Sequence, residues 1–307
     1  MPRRSLRRPI WNIAQPPQLT VKPGEPFHFG QSLNLDALPS ALAARDLLVA
    51  AVREAGALAL GFFRAGAPTS AEVKAKHGGS PVTEADLAAD ALLRARLTAA
   101  FPAAGWLSEE TADDPERLAR RALLVADPID GTRAFVAGDP RWAVSVALVV
   151  DGRPAAAVVH AAALNETYSA ARGAGAERNG VPLRGRERVD PERLSAAGPK
   201  PILEVMAAKL RTRIETVPRV PSMAYRLCMA AQGAVDFAVA AENAHDWDVA
   251  AADLILEEAG LRLVEPAGVP LLYNTERIRR EMLLAAPHAL APRLIEAFRS
   301  ASRGGRG

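Results

Sequence analysis

The sequence predicts a mixed α/β (α+β) protein in which sheets and helices stack in layers. Two observations lead there. Stretches with apolar residues near helical spacing are interspersed with short apolar or alternating runs bounded by Gly, Asn and Asp. These helices and strands mix without strict βαβ alternation, which disfavours a single doubly wound sheet.

Taken in order, residues up to about Asp36 are rich in proline and arginine and read as an extension. Ser40 caps a long helix from Ala41 to Phe63, with Leu47, Leu48, Ala51, Val52, Ala55, Leu58 and Ala59 near helical spacing. A Gly-rich loop, KAKHGGSPVTEAD, leads to a second helix opened by Thr83, with Asp86 in its first turn and Pro102 beyond its end. ALLVADPID reads as a strand that Pro128 interrupts, because proline lacks a backbone donor. AVSVALVVDGRPAAAVVHAAA reads as two strands around an Asp-Gly turn, followed by short strands and Gly turns to Leu183. After about Arg188, strand candidates such as KPILEVM alternate with helices, including SMAYRLCMAAQG, WDVAAADLILEEAG and ALAPRLIEAFRSA. The expected organisation is an extension over 1–36, an α+β half over 37–188 and an α/β half over 189–307.

The totals exclude several function classes. A chain of 307 residues, 49% hydrophobic, has ample material for a packed core. The formal charge is +3; Arg3, Arg4, Arg7 and Arg8 contribute +4, which leaves −1 for the remainder. The basic character belongs to the extension, which argues against a general nucleic-acid surface. Cys228 is the lone cysteine, so no intramolecular disulfide forms, consistent with a cytoplasmic location. The paired arginines resemble an export signal but lack the apolar segment that should follow. No apolar run reaches the roughly 18 residues of a membrane span.

The chemistry concentrates in acidic residues. Asp127 and Asp130 flank Pro128-Ile129, so both carboxylates and the Ile129 carbonyl can converge on one point. Glu109 and Glu110 follow an apolar pair, and Asp248 stands behind Trp247 at a helix start. These are hard oxygen donors, suited to magnesium rather than zinc. Carboxylates about 4 Å apart repel by roughly 4 kcal/mol at an effective dielectric near 20, so gathering them requires protons or cations. Taken singly, each would serve as a turn, a cap or a solvated face.

In order, KHGGSPVTEAD, SEE, DPIDGT, GAGAERNG and WDVAAADLILEEAG resemble the signatures of the inositol monophosphatase superfamily, over roughly Lys76 to Gly260. The resemblance implies a layered α/β/α/β/α sandwich of the inositol monophosphatase and fructose-1,6-bisphosphatase type. It also implies a homodimer and a magnesium-dependent, lithium-sensitive phosphatase with two or three Mg²⁺ per site. By resemblance, Glu109, Asp127 and the Ile129 carbonyl hold one metal, and Asp127, Asp130 and Asp248 a second. Glu109 can face a third. Asp86 and Thr132 orient the attacking water, and Gly131 and Thr132 offer N–H groups to phosphate. The loop around His77 and Gly78-Gly79, Pro221-Ser222 and Gly260-Leu261 depart from common family patterns without removing a ligand.

Substrate choice is the weaker part of the resemblance. Ser222 and Arg226 in SMAYRLCMAAQG resemble the 3′(2′),5′-bisphosphate nucleotidase branch, where a lysine often stands at the position of Arg226. A basic residue there suits a second phosphate, although Arg226 could equally lie on a solvent face. Glu242 lies one position from where the inositol branch places a sugar-contacting glutamate. The expected substrate is therefore 3′-phosphoadenosine 5′-phosphate. Inositol 1-phosphate comes second, with fructose bisphosphate and histidinol phosphate as further alternatives. The arginine-rich extension motivates a non-enzymatic alternative, an RNA- or protein-binding regulator on the same fold.

Overall fold

The computed structural model describes residues 38–76, 79–186, 190 and 192–304, with side chains to residue 301. The extension 1–36, His77, Gly78 and the boundary expected at 188/189 lie outside the described residues. The elements are α1 (Ala41–Leu60), β1 (Val73–Ala75), β2 (Pro81–Thr83), α2 (Glu84–Ala100), β3 (Gly105–Ser108), β4 (Ala122–Asp130) and α3 (Thr132–Ala137). There follow β5 (Ala143–Val150), β6 (Arg153–Ala161), β7 (Glu166–Ala171), β8 (Gly175–Arg178), β9 (Val181–Pro182), β10 (Arg193–Ala197) and α4 (Lys200–Leu210). The chain ends with β11 (Arg213–Thr216), α5 (Met223–Ala231), β12 (Phe237–Ala240), α6 (Asp246–Glu258), β13 (Leu261–Val264), β14 (Leu283–Pro287) and α7 (Ala291–Gly304).

Side-chain alternation explains the layers. Strands β3 to β9 form one sheet in sequence order; β4 pairs in parallel with β3 and antiparallel with β5. Along β4, Leu124 and Ala126 face α1 and α2, where Leu48, Val52, Leu93 and Leu97 meet them. Leu123 and Val125 face the other way, into a core shared with Leu227 of α5 and Leu254 and Ile255 of α6. That core continues to Ala238 and Leu283 of a second sheet, ordered β11-β10-β12-β14-β13. The far face of the second sheet packs Phe237 and Leu284 against Met206 of α4 and Phe298 of α7. The stack is helices, sheet, helices, sheet, helices: the expected five layers.

Three local expectations change. KPILEVM lies in α4, not a strand; Leu203 and Met206 are buried on one face with Ile202 and Leu210 beside them, and Pro201 stands in the first turn, where it is tolerated. Pro128 does not end β4. The ladder shifts register between Asp127 and Asp130, and this bulge carries the missing donor while the strand continues. Helix α1 stops at Leu60, with Gly61 as its cap, rather than at Phe63. The Asp151-Gly152 turn between β5 and β6 has φ values of 51° and 76°, the left-handed pair that a tight hairpin requires.

Gly56 shows how closely α1 approaches the sheet. A Cβ there would lie 2.6 Å from His160 Cδ2. His160 is buried, and its Nδ1 is 3.0 Å from Thr167 Oγ1, which limits how far the ring can move aside. Gly56→Ala should therefore destabilise the protein by about 1–3 kcal/mol despite alanine's better helix propensity. Urea unfolding measures this, and a gain in stability would contradict the packing described.

Candidate active site

The site forms where helix starts face the end of β4. Asp86 lies in the first turn of α2, and Asp248 in the first turn of α6. Ser222 caps α5. Helix N-termini tolerate negative charge because their N–H groups and dipoles point at it. The β4 bulge presents Asp127 and Asp130 to this region, and α3 begins immediately afterwards behind Gly131. Gly131 has φ 94°, and a Cβ there would lie 3.2 Å from the Ser222 backbone nitrogen. Both conformation and space thus require glycine.

One carboxylate oxygen from each of Asp127, Asp130 and Asp248 lies within 4.8 Å of the others. Asp127 Oδ1 accepts the Ile129 N–H at 3.1 Å, whereas its buried Oδ2 has no partner among the described residues. Asp130 Oδ2 accepts from Ser222 Oγ and from the Ala224 N–H, each at 2.6 Å. Asp248 Oδ2 accepts the His245 N–H at 2.5 Å in a capping box. Burial, then the charges of Glu109, Asp130 and Asp248, drives the Asp127 carboxyl well above its ordinary range. Burial and Asp248 likewise push Asp130 up to about 7, against the hydrogen bonds it accepts. An orphaned buried carboxylate oxygen within an all-oxygen donor set fits a hard divalent cation.

Asp86 and Thr132 also meet. Thr132 Oγ1 stands 3.1 Å from Asp86 Oδ1 and 3.1 Å from the Ile129 carbonyl. Thr83 holds the other Asp86 oxygen through its N–H at 2.8 Å and its hydroxyl at 2.5 Å. Burial raises the Asp86 carboxyl above the usual range. Glu109 is engaged differently: Lys76 Nζ donates to Glu109 and to Glu110, each at 2.7 Å.

The substrate-side residues divide. Arg226 is half-buried rather than on a solvent face; its Nη1 donates to the Val220 carbonyl at 3.1 Å, and its buried Nε has no partner among the described residues. Ser222, expected to touch substrate, is fully buried and donates its hydroxyl to Asp130. Glu242 is exposed in the turn before α6, and its neighbour Ala241 lines the adjoining cavity instead.

Sequence reasoning did not single out Lys76 or Asp90. Asp90 accepts from Ser108 Oγ at 2.5 Å and from Thr111 Oγ1 at 2.8 Å, which ties the Glu109-Glu110 turn to α2. Its spacing of four from Asp86, placing both on one helix face, was the available signal.

With this geometry in view, comparison with known proteins is decisive. A sequence model of the inositol monophosphatase family matches residues 43–303. The chain belongs to the inositol monophosphatase family. Members of this family are magnesium-dependent phosphatases. The chain is 40% identical over 138 residues to a histidinol-phosphatase of Chlorobaculum parvum, covering 45% of this chain and 51% of that one, about half its length. It is 32% identical over 213 residues to a 3′(2′),5′-bisphosphate nucleotidase of Aggregatibacter actinomycetemcomitans, covering 67% and 79%. A solved inositol monophosphatase from Thermotoga maritima superposes with a TM-score of 0.72 at 25% identity, covering 85% of this chain and 99% of that one.

The raised carboxyls make a signed prediction for the metal-free inositol monophosphatase fold. From an ordinary value of 3.8 to the Asp130 value of about 7, the folded protein keeps protons that the unfolded chain releases. This contribution to stability is present at low pH and is lost as pH rises through that window. His160, pushed down to about 4 by burial, acts in the opposite sense, so a variant isolates the carboxylates. In EDTA, Asp127→Asn should gain Tm over wild type as pH rises from 5 to 8, and should lose most of the Tm increase that magnesium gives wild type. Scanning calorimetry that shows parallel pH profiles would contradict this.

Proposed function

We propose that the chain is a magnesium-dependent phosphomonoesterase that removes the 3′-phosphate of 3′-phosphoadenosine 5′-phosphate by direct attack of water. The observation that carries the substrate choice is Arg226, half-buried, with an Nε unpartnered among the described residues, and within electrostatic reach of Asp130 and Asp248. A guanidinium beside the reacting centre suits a substrate with a second anionic group. Glu242, one position from the expected glutamate, is exposed and is not among the described lining residues of the adjoining cavity.

In this reading Asp127, Asp130 and Asp248 hold one Mg²⁺, and Glu109, Asp127 and the Ile129 carbonyl hold another. Bound there, magnesium supplies positive charge against the phosphate oxygens and acidifies the attacking water. The protein's own groups do the rest. Thr132, with its proton directed to Asp86, keeps a lone pair to accept a proton from water. Asp86, raised by burial, is a better proton acceptor than a surface carboxylate. The N–H groups at Gly131 and Thr132 receive a phosphate oxygen. Lys76 lies against Glu109 and Glu110 and offsets their negative charge.

Histidinol phosphate is the second reading, favoured by the identity to the Chlorobaculum protein. Lithium sensitivity and a homodimer belong to the same proposal and rest on the family resemblance; a cytoplasmic location belongs to it too and rests on the lone cysteine. No described helix is long and apolar enough to cross a membrane.

A phosphate-release panel tests the substrate. The bisphosphate should exceed inositol 1-phosphate and histidinol phosphate in kcat/KM, and a preference for either of those would overturn the choice. A second experiment tests the division of labour. Thr132→Ala should lower kcat by about 10²–10⁴-fold while leaving the magnesium midpoint close to wild type. Equal losses in both would contradict it.

A further inference from the structure

Beside the acidic cluster lies a cavity of about 610 Å³, walled by the N-terminal end of α4, the segment 216–221 and the first turns of α5. Its charged lining residues are Lys200, Arg219 and Arg226, and no acidic residue is among its described walls. Arg219 is exposed, and no carboxylate is paired with its side chain among the described contacts. Among the described contacts, Lys200 has a loose one, 3.7 Å from the exposed Glu204. Arg226 is pushed down by burial, and the positive charge of Arg219 adds to that, while Asp130 and Asp248 oppose it. Cations held together in a concave site favour an anion between them, as clustered carboxylates favour a cation. The α4 N-terminus adds its dipole without a side-chain cap to satisfy it. Apolar walls from Pro218, Val220 and Met223 leave room for an uncharged body beside the charged end.

We propose that this cavity seats the non-reacting phosphate of a nucleoside bisphosphate, with Arg219 and Lys200 joining Arg226 as the residues that set substrate specificity. The proposal rests on the functional reading above and deepens it. It also gives a reason for rejecting histidinol phosphate: that ester carries an ammonium and an imidazole at its non-reacting end, and a cavity walled by cations repels them. Selectivity thus arises from attraction of one substrate class and repulsion of another.

The test measures kcat/KM with magnesium present for adenosine 3′,5′-bisphosphate, adenosine 3′-monophosphate, fructose 1,6-bisphosphate and histidinol phosphate. Arg219→Ala and Lys200→Ala should each lower the ratio of bisphosphate to monophosphate efficiency by roughly three- to ten-fold, mainly through KM, as solvent-reachable charges do. Arg219→Glu should lower it further and raise turnover of histidinol phosphate above wild type, a gain that misfolding cannot produce. Unchanged ratios would overturn the proposal. A larger loss on fructose 1,6-bisphosphate than on the nucleotide would assign the cavity to a sugar phosphate and overturn the nucleoside part. Calorimetric titration with AMP separates this from failure of the substrate reading. If wild type does not prefer the bisphosphate but Arg219→Ala still weakens AMP binding, the cavity stands and the reading falls. Equal AMP affinity in both proteins overturns the cavity.

Discussion

The structure depends on one electrostatic constraint: Asp127, Asp130 and Asp248 are gathered in a site where Asp127 and Asp130 are almost fully buried. Carboxylates at such distances repel by several kcal/mol even when the surroundings respond strongly. The fold meets this with features that otherwise look unrelated. Helix N-termini face the cluster, Ser222 and the Ala224 N–H hold Asp130, and the His245 N–H holds Asp248. The bulge at Pro128 lets two aspartates three positions apart serve one centre, which a regular strand would place on opposite faces. Asp127 Oδ2 is left without a partner among the described residues, and this remaining deficit is what a cation answers.

Much of this was legible in the sequence, for identifiable reasons. Capping residues and apolar periodicity placed α1, α2, α5 and α6, because those signals are local. The Asp-Gly turn placed the β5–β6 hairpin for the same reason. KPILEVM was misread because a short apolar run fits strand and helix equally; its burial against α7 and the second sheet decides between them. Pro128 was read as a break because proline's local effect is known, whereas a bulge depends on the neighbouring strand. Asp86, Asp127, Asp130 and Asp248 were singled out through their motifs. The roles of Ser222, Asp90 and Lys76 depend on contacts across 92, 18 and 33 residues, which no local pattern encodes. Glu242, already one position out of register in the sequence, is exposed, and its neighbour Ala241 lines the cavity.

Helix α5 brings the two charged regions together. Ser222, at its cap, fixes Asp130, and Arg226, one turn later, meets the basic cavity. Because i and i+4 share a helix face, a single rigid turn sets the spacing between the acidic centre and the guanidinium. The local geometry also distinguishes arginine from lysine at this position. Arg226 uses Nη1 on the Val220 carbonyl, which anchors the guanidinium, and still has Nε and Nη2 on the same planar group. A lysine ammonium offers three rotatable donors at a single point, without the planar fork that fixes the orientation of the group. The Val220 carbonyl belongs to the loop that forms the cavity wall, so the anchor ties the loop to α5 as well. Arginine can therefore preserve the shape of the cavity and present charge into it at the same time.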